Sequence, residues 1–329
     1  MVRIVRFYEH GGPEVLRIEE AEVAPPGSGE IQIRVKALGL NRADALLRAG
    51  TYIETAPSPS SLGLEAAGIV EAIGDDVHGF EPGDTVSVIP STSMVRWPSY
   101  GEIATFPANL VVRHPAFLSW EEAASVWMQY VTAYGALVDI AKIQRGDFVV
   151  VTAASSSVGL AAIQIANLVG AVPIAVTRTS AKKQALLDAG AAHVIALAEE
   201  GLEDRLREIA GPDGVRIVFD PIGGPIFGPL TGAMSRGGIL IEYGGLSPEP
   251  TPFPLFAVLA KCLTLRGYLM HEIVRDPARL EAAKTFILDG LNAGALKPIL
   301  AATFPFEQIV EAHRFLETNE QFGKIVVTI

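Results

Sequence analysis

The sequence predicts an α/β protein in which a doubly wound parallel-sheet domain is inserted into a β-rich domain. Three observations lead there. From residue 147 short β-branched runs alternate with helical segments across short connections, the pattern of parallel strands crossed over by helices. The first 120 or so residues instead carry short strands of period two, bounded by Gly, Pro and Asp. The strand at 324–329 has no helix after it and is expected to return to the β-rich part. The expected division is therefore residues 1–121 together with 293–329 for the β-rich domain and 122–292 for the inserted one.

Residues 31–37 alternate as a half-buried strand, and 68–74 and 84–89 are further short strands. Ala56-Pro57-Ser58-Pro59-Ser60-Ser61 is a loop by composition. Ser119-Trp120-Glu121-Glu122 opens a helix with a capping box, and apolar residues then recur at helical spacing through Leu137. Phe148-Val149-Val150-Val151-Thr152 is unbroken, as a parallel strand buried on both faces requires. Helices over 160–169, 181–189 and 202–209 alternate with strands over 172–176, 193–195, 216–219, 238–243 and 264–268. A long helix over 277–292 follows, Pro305-Phe306-Glu307-Gln308 begins another, and 324–329 is the last strand.

With 329 residues, 49% apolar and 19% charged, the chain has material for large cores and is neither disordered nor fibrous. A net charge of −11 argues against nucleic acid or an anionic membrane as partner. The single cysteine, Cys262, allows no disulfide within the chain and no multi-cysteine zinc site. Met1-Val2-Arg3-Ile4-Val5-Arg6 reads as a strand rather than a signal peptide, so a soluble cytoplasmic protein is expected. The six histidines (His10, His78, His114, His193, His271, His313) form no close pair on a helical face and read as surface or capping residues.

The turn between the strand at 148–152 and the next helix carries the first functional signal. Ala153, Ser156 and Gly159 stand where a dinucleotide fingerprint has glycines, and Ser155, Ser156 and Ser157 add hydroxyls at a helix N-terminus. An ordinary serine-rich turn with a Ser N-cap is the alternative; the strand before and helix after favour the cofactor. An NAD site places Asp or Glu about 20 residues further on. Here Arg178 stands there, within Thr177-Arg178-Thr179-Ser180-Ala181-Lys182-Lys183, and no carboxylate lies between Gly159 and Asp188. Cations and hydroxyls suit a 2′-phosphate. Cations at a helix N-terminus also oppose its dipole unless an anion is bound. The sequence points to NADPH over NADH.

The residues at this point resemble those of the medium-chain dehydrogenase/reductase superfamily, and within it the zinc-free quinone oxidoreductase (zeta-crystallin-like) group. The carriers are Gly39-Leu40-Asn41-Arg42-Ala43-Asp44, Arg48-Ala49-Gly50-Thr51-Tyr52, Gly63-Leu64-Glu65-Ala66-Ala67-Gly68, Glu81-Pro82-Gly83-Asp84-Thr85-Val86, Thr132-Ala133-Tyr134, residues 153–159 and Phe219-Asp220-Pro221-Ile222-Gly223-Gly224. The resemblance implies a Rossmann cofactor domain inserted in a GroES-like catalytic domain. Zinc-dependent relatives have Gly-His-Glu where this chain has Gly63-Leu64-Glu65, and their remaining ligands are cysteines this chain lacks, so no metal is expected. The group's Ala-Gly-Gly-Val-Gly turn is here Ser155-Ser156-Ser157-Val158-Gly159, which keeps the backbone path and alters the pyrophosphate contacts.

Carried over by position, Asn41 faces the nicotinamide ribose or the substrate carbonyl, and Thr132 lies near the nicotinamide. Ser156, Ser157 and Val158 meet the pyrophosphate, while Thr177, Arg178, Ser180 and Lys182 bind the adenosine ribose and its phosphate. Tyr243, Gly244, Gly245, Gly267, Tyr268, Phe322, Gly323 and Lys324 line the nicotinamide end. Tyr243 read as a core aromatic and Asp220 read as a turn residue ending its strand stand beside these roles. Asn41 and Tyr52 are the catalytic candidates, with Tyr52 as proton donor or pocket lid, or else a loop-packing aromatic. Trp127, Gln129 and Tyr130 shape the substrate pocket, or are helix core except for Gln129, which a core rarely admits. Without a metal the protein must stabilise charge by hydrogen bonds alone. Hydride delivered to an enone or quinone leaves a delocalised anion, whereas an isolated ketone leaves a localised alkoxide. The implied activity is NADPH-dependent reduction of quinones or activated C=C bonds in an electron-poor small molecule, by a homodimer. Metal-free alcohol or carbonyl oxidoreduction and non-catalytic NADPH binding are the alternatives.

Overall fold

The computed structural model describes residues 1–329, which divide into two units: 1–128 with 298–329, and 129–297. Along the chain, the first unit begins with β1 (Val2–Arg6) and β2 (Arg17–Ala21), an antiparallel pair. Then follow β3 (Glu30–Gly39), α1 (Arg42–Ala49), β4 (Glu65–Ile73), β5 (Thr85–Val88), β6 (Ile103–Pro107), β7 (Val111–Arg113) and α2 (Trp120–Ala123). The chain passes through α3 (Trp127–Tyr134) into the second unit. That unit holds β8 (Phe148–Val151), α4 (Ser157–Val169), β9 (Val172–Thr177), α5 (Lys183–Asp188), β10 (His193–Ala196), α6 (Leu202–Ala210), β11 (Val215–Asp220) and α7 (Phe227–Ala233). It continues with β12 (Met234–Glu242), α8 (Leu255–Lys261), β13 (Thr264–Gly267), α9 (His271–Val274) and α10 (Pro277–Asn292). The first unit is completed by β14 (Leu300–Pro305), α11 (Ile309–Thr318) and β15 (Lys324–Thr328).

In the α/β unit six parallel strands run in the order β10-β9-β8-β11-β12-β13. This is the doubly wound order, whose ligand loops sit at the carboxyl ends of the strands around the reversal beside β8. The central strands carry Val, Ile and Phe on both faces and are buried except for Phe148 and Arg216 near their starts, as expected for parallel strands covered on both sides. In the β-rich unit, β14-β15-β3-β4-β5-β7 form one sheet, with β6 also paired to β3. The return of β15 to the β-rich unit is as expected, and there it pairs with β3; its parallel neighbour β14 was not legible, since Leu300–Pro305 lies partly exposed with no clean alternation. No helix is long and apolar enough to cross a membrane.

The helix expected from 119 to 137 is broken. The capping box at Ser119 is present, with Ser119 N–H donating to Glu122 Oε2 (2.9 Å) and Glu122 N–H to Ser119 Oγ (3.2 Å). The helix stops after Ala123. The Met128 N–H, at the start of α3, donates instead to Glu65 Oε1 at 2.8 Å. Ala123 and Ala124 pack on Ala37, Ala67 and Val326, so α2 belongs to the β-rich unit, and the join falls at 128/129 rather than 121/122. Past Tyr134 the turn widens to a π-helix over Gly135–Ile140. Helix α4 begins at Ser157 rather than 160, because Ser156 caps it.

Helix α10 has the extent its periodicity predicts, and its start is set by Asp276, whose Oδ1 accepts the N–H groups of Ala278 (3.0 Å) and Arg279 (3.2 Å). Asp276→Ala is expected to cost about 1 kcal/mol through the lost cap. A urea unfolding midpoint unchanged by this substitution would contradict the assignment.

Candidate active and cofactor sites

In the β-rich unit, α1 begins at Asn41, whose extended backbone makes it the N-cap. Its N–H donates to Asp44 Oδ2 at 2.8 Å. Its side chain, 7% exposed, is fully engaged. Nδ2 donates to Gly39 O (3.2 Å) and Glu65 Oε2 (3.3 Å), and Oδ1 accepts from Lys324 Nζ at 2.7 Å. Lys324 Nζ also pairs with Glu65 Oε2, and both side chains are sequestered from water. Since a lysine only donates, this contact fixes which end of the Asn41 amide is oxygen. Glu65 is saturated: one oxygen takes the Met128 N–H and the other takes Lys324 and Asn41. Lys324 was expected at the cofactor; the structure gives it first to Glu65 and Asn41.

A second buried chain starts from the same helix. Asp44 Oδ2 also accepts from the Tyr100 hydroxyl (3.0 Å), the Tyr100 hydroxyl meets His313 Nε2 (3.1 Å), and Arg48 Nη1 meets His313 Nδ1 (2.9 Å). Arg48, itself buried, ends the chain on Glu317. His313 is wholly buried, which corrects the reading of the six histidines as surface or capping residues: α11 turns it inward to accept from Arg48. Burial pushes the Asp44 carboxyl up to about 7, partly offset by the Asn41 N–H and Lys324. Burial and the nearby Arg48 charge push His313 down to about 3, so it is neutral. Tyr52 packs against the same core, and burial, Asp44 and Glu54 raise its hydroxyl to about 12. Leu64, at the position of the zinc relatives' histidine, is a buried core residue.

In the α/β unit, the turn after β8 is built for close approach. Ala153 takes a left-handed φ of 46°. A Cβ at Gly159 would stand 2.8 Å from Ala153 O and 2.7 Å from Ala154 O, so helix α4 can lie this near the strand only with glycine there. Ser156 Oγ accepts the Gly159 N–H (3.0 Å), leaving the N–H groups of Ser157 and Val158 in a first turn that has no i−4 carbonyls. Lys182 Nζ reaches back to Ser155 Oγ (3.1 Å), which puts an ammonium over the turn. Arg178 is exposed at the end of β9, with Thr177 half-buried beside it. Hydroxyls, first-turn amides and cations are the donor set a phosphorylated dinucleotide requires, and the glycine-only approach fits its pyrophosphate.

Ser180 lies at the start of the helical segment bearing Lys182 and Lys183, where no carboxylate was expected. Its N–H donates to Glu199 Oε1 (2.9 Å), delivered by the turn after β10. The chain thus supplies its own anion to this N-terminus, and the bonds from Ser180, then Lys183, hold the Glu199 carboxyl below the usual range.

At the carboxyl ends of the next two strands, Asp220 and Glu242 stand opposite in register. Asp220 ends its strand as a turn residue, accepting the N–H groups of Ile222 (3.2 Å) and Gly223 (2.9 Å) and the Thr152 hydroxyl. Glu242 has two buried oxygens without a hydrogen-bond partner, and burial beside the Asp220 charge pushes its carboxyl up to about 9. Neither sequence spacing nor a motif flagged Glu242; only strand register brings it to Asp220. Tyr243 stacks on Phe219, with ring centroids 4.0 Å apart, and is half-buried.

Several expected pocket residues are core side chains in this structure. The Trp127 indole N–H donates to Ser87 Oγ (2.8 Å) and the Tyr130 hydroxyl to Gln164 Oε1 (2.7 Å), each residue 1% exposed. Gln129 is buried with them, and Thr132 on α3 is 6% exposed. Tyr268, expected at the nicotinamide end, is buried and its hydroxyl donates to Val131 O (3.3 Å). Gly244 and Gly267 are exposed at strand ends, Phe322 is half-buried, and Ser157 and Val158 flank the turn.

Comparison with known proteins gives the same organisation. Residues 27–116 match the family described as alcohol dehydrogenase GroES-like domain, and 157–287 match the family described as zinc-binding dehydrogenase. The chain is 32% identical to quinone oxidoreductase 1 of Escherichia coli (strain K12), over 98% of each chain. It is 29% identical to human quinone oxidoreductase, over 100% of this chain and 98% of that one. Among solved structures, Escherichia coli quinone oxidoreductase complexed with NADPH superposes with a TM-score of 0.90 at 31% identity, covering 99% of this chain and all of the other.

The raised Glu242 carboxyl has a defined pH signature. Its usual value is 4.5 and its folded value about 9, so between those limits the folded protein binds a proton that the unfolded chain has released. Stability from this group is complete below the lower value and declines as pH rises towards the upper one. Glu242→Gln is therefore expected to raise the melting temperature, with the gain growing from acid to alkaline pH. A gain that shrinks as pH rises would refute this.

Proposed function

The chain belongs to the quinone oxidoreductase group of the medium-chain dehydrogenase/reductase superfamily, and from that premise we propose that it reduces quinones or activated C=C bonds of enones and enals with NADPH. The observation that carries this reading is the Asn41 amide. Lys324 donates to its Oδ1, and a charged donor on the carbonyl end polarises the amide and strengthens donation from Nδ2. The two bonds that Nδ2 makes, at 3.2 and 3.3 Å, are long, and a developing oxyanion is a stronger acceptor than the Gly39 carbonyl. Asn41 thus donates to the acceptor oxygen as charge develops there. Tyr52 keeps its proton throughout neutral pH, because its hydroxyl lies near 12. The hydroquinone product resembles an ordinary phenol, with a pKa of about 10, so Tyr52 is too weak an acid to protonate its anion and serves as a second hydrogen-bond donor, while the proton that completes the product comes from solvent. Two neutral donors are enough for an anion spread over a ring or an enolate.

NADPH, when bound, supplies the hydride. Ser156, Ser157 and Val158 would hold its pyrophosphate through first-turn amides and hydroxyls. Thr177, Arg178, Ser180 and Lys182 would hold the adenosine ribose and 2′-phosphate, with Glu199 weakening the grip by its charge. Thr132, Tyr243, Gly244 and Gly267 would border the nicotinamide. A homodimer belongs to the same proposal. Strand β13 is an edge of the parallel sheet, and in the segment that leads into it Phe253, Phe256 and Leu259 expose 66%, 83% and 64% of their surfaces, a patch that an apposed second copy would cover. A cytoplasmic location is supported by the one free cysteine, which suits a reducing compartment.

Three measurements test this. A panel of quinones, enones and enals with NADPH is expected to show loss of nicotinamide absorbance for at least one class; a flat panel with NADPH binding intact supports the non-catalytic alternative. Arg178→Ala is expected to weaken NADPH binding by about tenfold, or ~1.4 kcal/mol, with NADH affinity unchanged; equal loss for both nucleotides would remove Arg178 from the 2′-phosphate. Phe256→Glu is expected to yield a monomer by light scattering, and an unchanged mass would move the interface elsewhere.

A further inference from the structure

We propose that Tyr100 and His313 are positioning residues for the reduction, orienting Asp44 so that it fixes the N-terminus of α1 and with it Asn41. The inference rests on the reading of Asn41 as a hydrogen-bond donor to the acceptor.

The hydrogen-bond directions in this chain have one solution. Arg48 has only donors, so His313 Nδ1 accepts from it. The neutral ring then carries its proton on Nε2 and donates to the Tyr100 oxygen. Tyr100 has one proton left to give, and it goes to Asp44 Oδ2. The same oxygen receives the Asn41 N–H. Every donor from Arg48 onward therefore points towards Asp44, and every step is set by a group that cannot reverse it. The ring planes of Tyr100 and His313 meet at 77°, edge to face, with centroids 5.7 Å apart, a favourable aromatic contact beside the hydrogen bond.

A clasp needed only to join α1 to α11 would be made more cheaply by apolar side chains. Asp44, Tyr100, His313 and Arg48 are all at most 2% exposed, and each polar group had to lose water to get there. What the polar chain adds is a directed endpoint on the residue that caps Asn41. Asp44 Oδ1 has no partner, so the carboxylate is held through one oxygen only, and loss of the Tyr100 hydroxyl leaves Asn41 N–H as its sole donor.

The test uses the full chain with an acceptor that the wild type turns over. Charged and titratable groups near Asp44 are Lys324, Glu65, Tyr100 and Tyr52, with Arg48 and His313 one step further along the chain. Asp44 is active as a carboxylate, so wild-type kcat is expected to rise with pH through about 7. Tyr100→Phe removes a donor to that carboxylate. It should lower kcat roughly tenfold, the scale on which a misplaced group acts, leave the NADPH Kd unchanged, and move the acid limb to higher pH. His313→Gln retains an acceptor for Arg48 and a donor for Tyr100 and should stay within about twofold of wild type, whereas His313→Leu should behave like Tyr100→Phe. Infrared titration of the cofactor-free protein gives an independent readout: a carboxyl band absent in Asp44→Asn should titrate at higher pH in Tyr100→Phe. The inference is overturned if Tyr100→Phe keeps the wild-type pH profile and carboxyl titration. If Asn41→Ala is as active as wild type, the Asn41 reading itself fails, and nothing is left for Tyr100 to position. Loss of kcat in Asn41→Ala with none in Tyr100→Phe rejects the positioning role alone.

Discussion

A single buried ammonium, Lys324 Nζ, joins residues 41, 65 and 324, which come from three separate stretches of chain. Taking an ammonium and a carboxylate out of water is costly, and the mutual attraction offsets it only with good geometry and with the remaining lone pairs satisfied. Those conditions are met: Glu65 takes bonds on both oxygens and Asn41 closes the third side. Removing either ion would strand the other, at a typical cost of 3–5 kcal/mol, roughly. The constraint reaches into the backbone. A Cβ at Gly39 would stand 2.1 Å from Ala124 O and 2.8 Å from Lys324 Cε, so the strand end, α2 and the ammonium can share this space only with glycine. The ammonium reaches Asn41 because β15, whose first residue is Lys324, pairs with β3 next to α1.

The neighbouring network shows why such burial can be tolerated. Asp44 moves up to about 7 and His313 down to about 3, and their effects on stability oppose each other. The native protein holds a proton on Asp44 that the unfolded chain releases above 3.8, so stability falls as pH rises to about 7. The unfolded chain binds a proton on His313 below 6.5 that the native protein refuses until about 3, so stability rises over that range. Between 3.8 and 6.5 the two slopes have opposite sign, and the cluster is less sensitive to acid than either residue alone.

Much of the fold was legible because its signals are local. Val149-Val150-Val151 suits a strand covered on both faces, and Pro277 fits the first turn of α10. The Ser156 cap and the tight turn were likewise written in consecutive residues. What stayed hidden depends on register and return paths. Asp44 was visible as a residue three beyond Asn41, but Tyr100 and His313 lie 56 and 213 residues apart from their partners in the chain of bonds. Glu199 reaches Ser180 because β10 lies beside β9, and a scan forward from Gly159 stops before it. Trp127 and Tyr130 carry polar ends that a pocket or a core can satisfy equally, and only the positions of Ser87 and Gln164 decide.

The local chemistry around Leu64 leaves no metal ligand beside Asn41. Leu64 is packed into the core of the β-rich unit and offers no lone pair. Its neighbour Glu65 has spent both oxygens on an amide N–H, an ammonium and the Asn41 amide, so using it as a ligand would break the ion pair that organises the site. On the proposed reading, the side chains here therefore stabilise charge as hydrogen-bond donors, not as ligands. Donors of that kind are weak individually, about 0.5–1.5 kcal/mol each when neutral and about twice that when charge-assisted. A localised alkoxide asks more of them than an enolate or a hydroquinone anion, whose charge is already shared over several atoms. On the proposed reading, the choice of acceptor follows from the strength of the two donors, Asn41, with Lys324 bound to its Oδ1, and Tyr52.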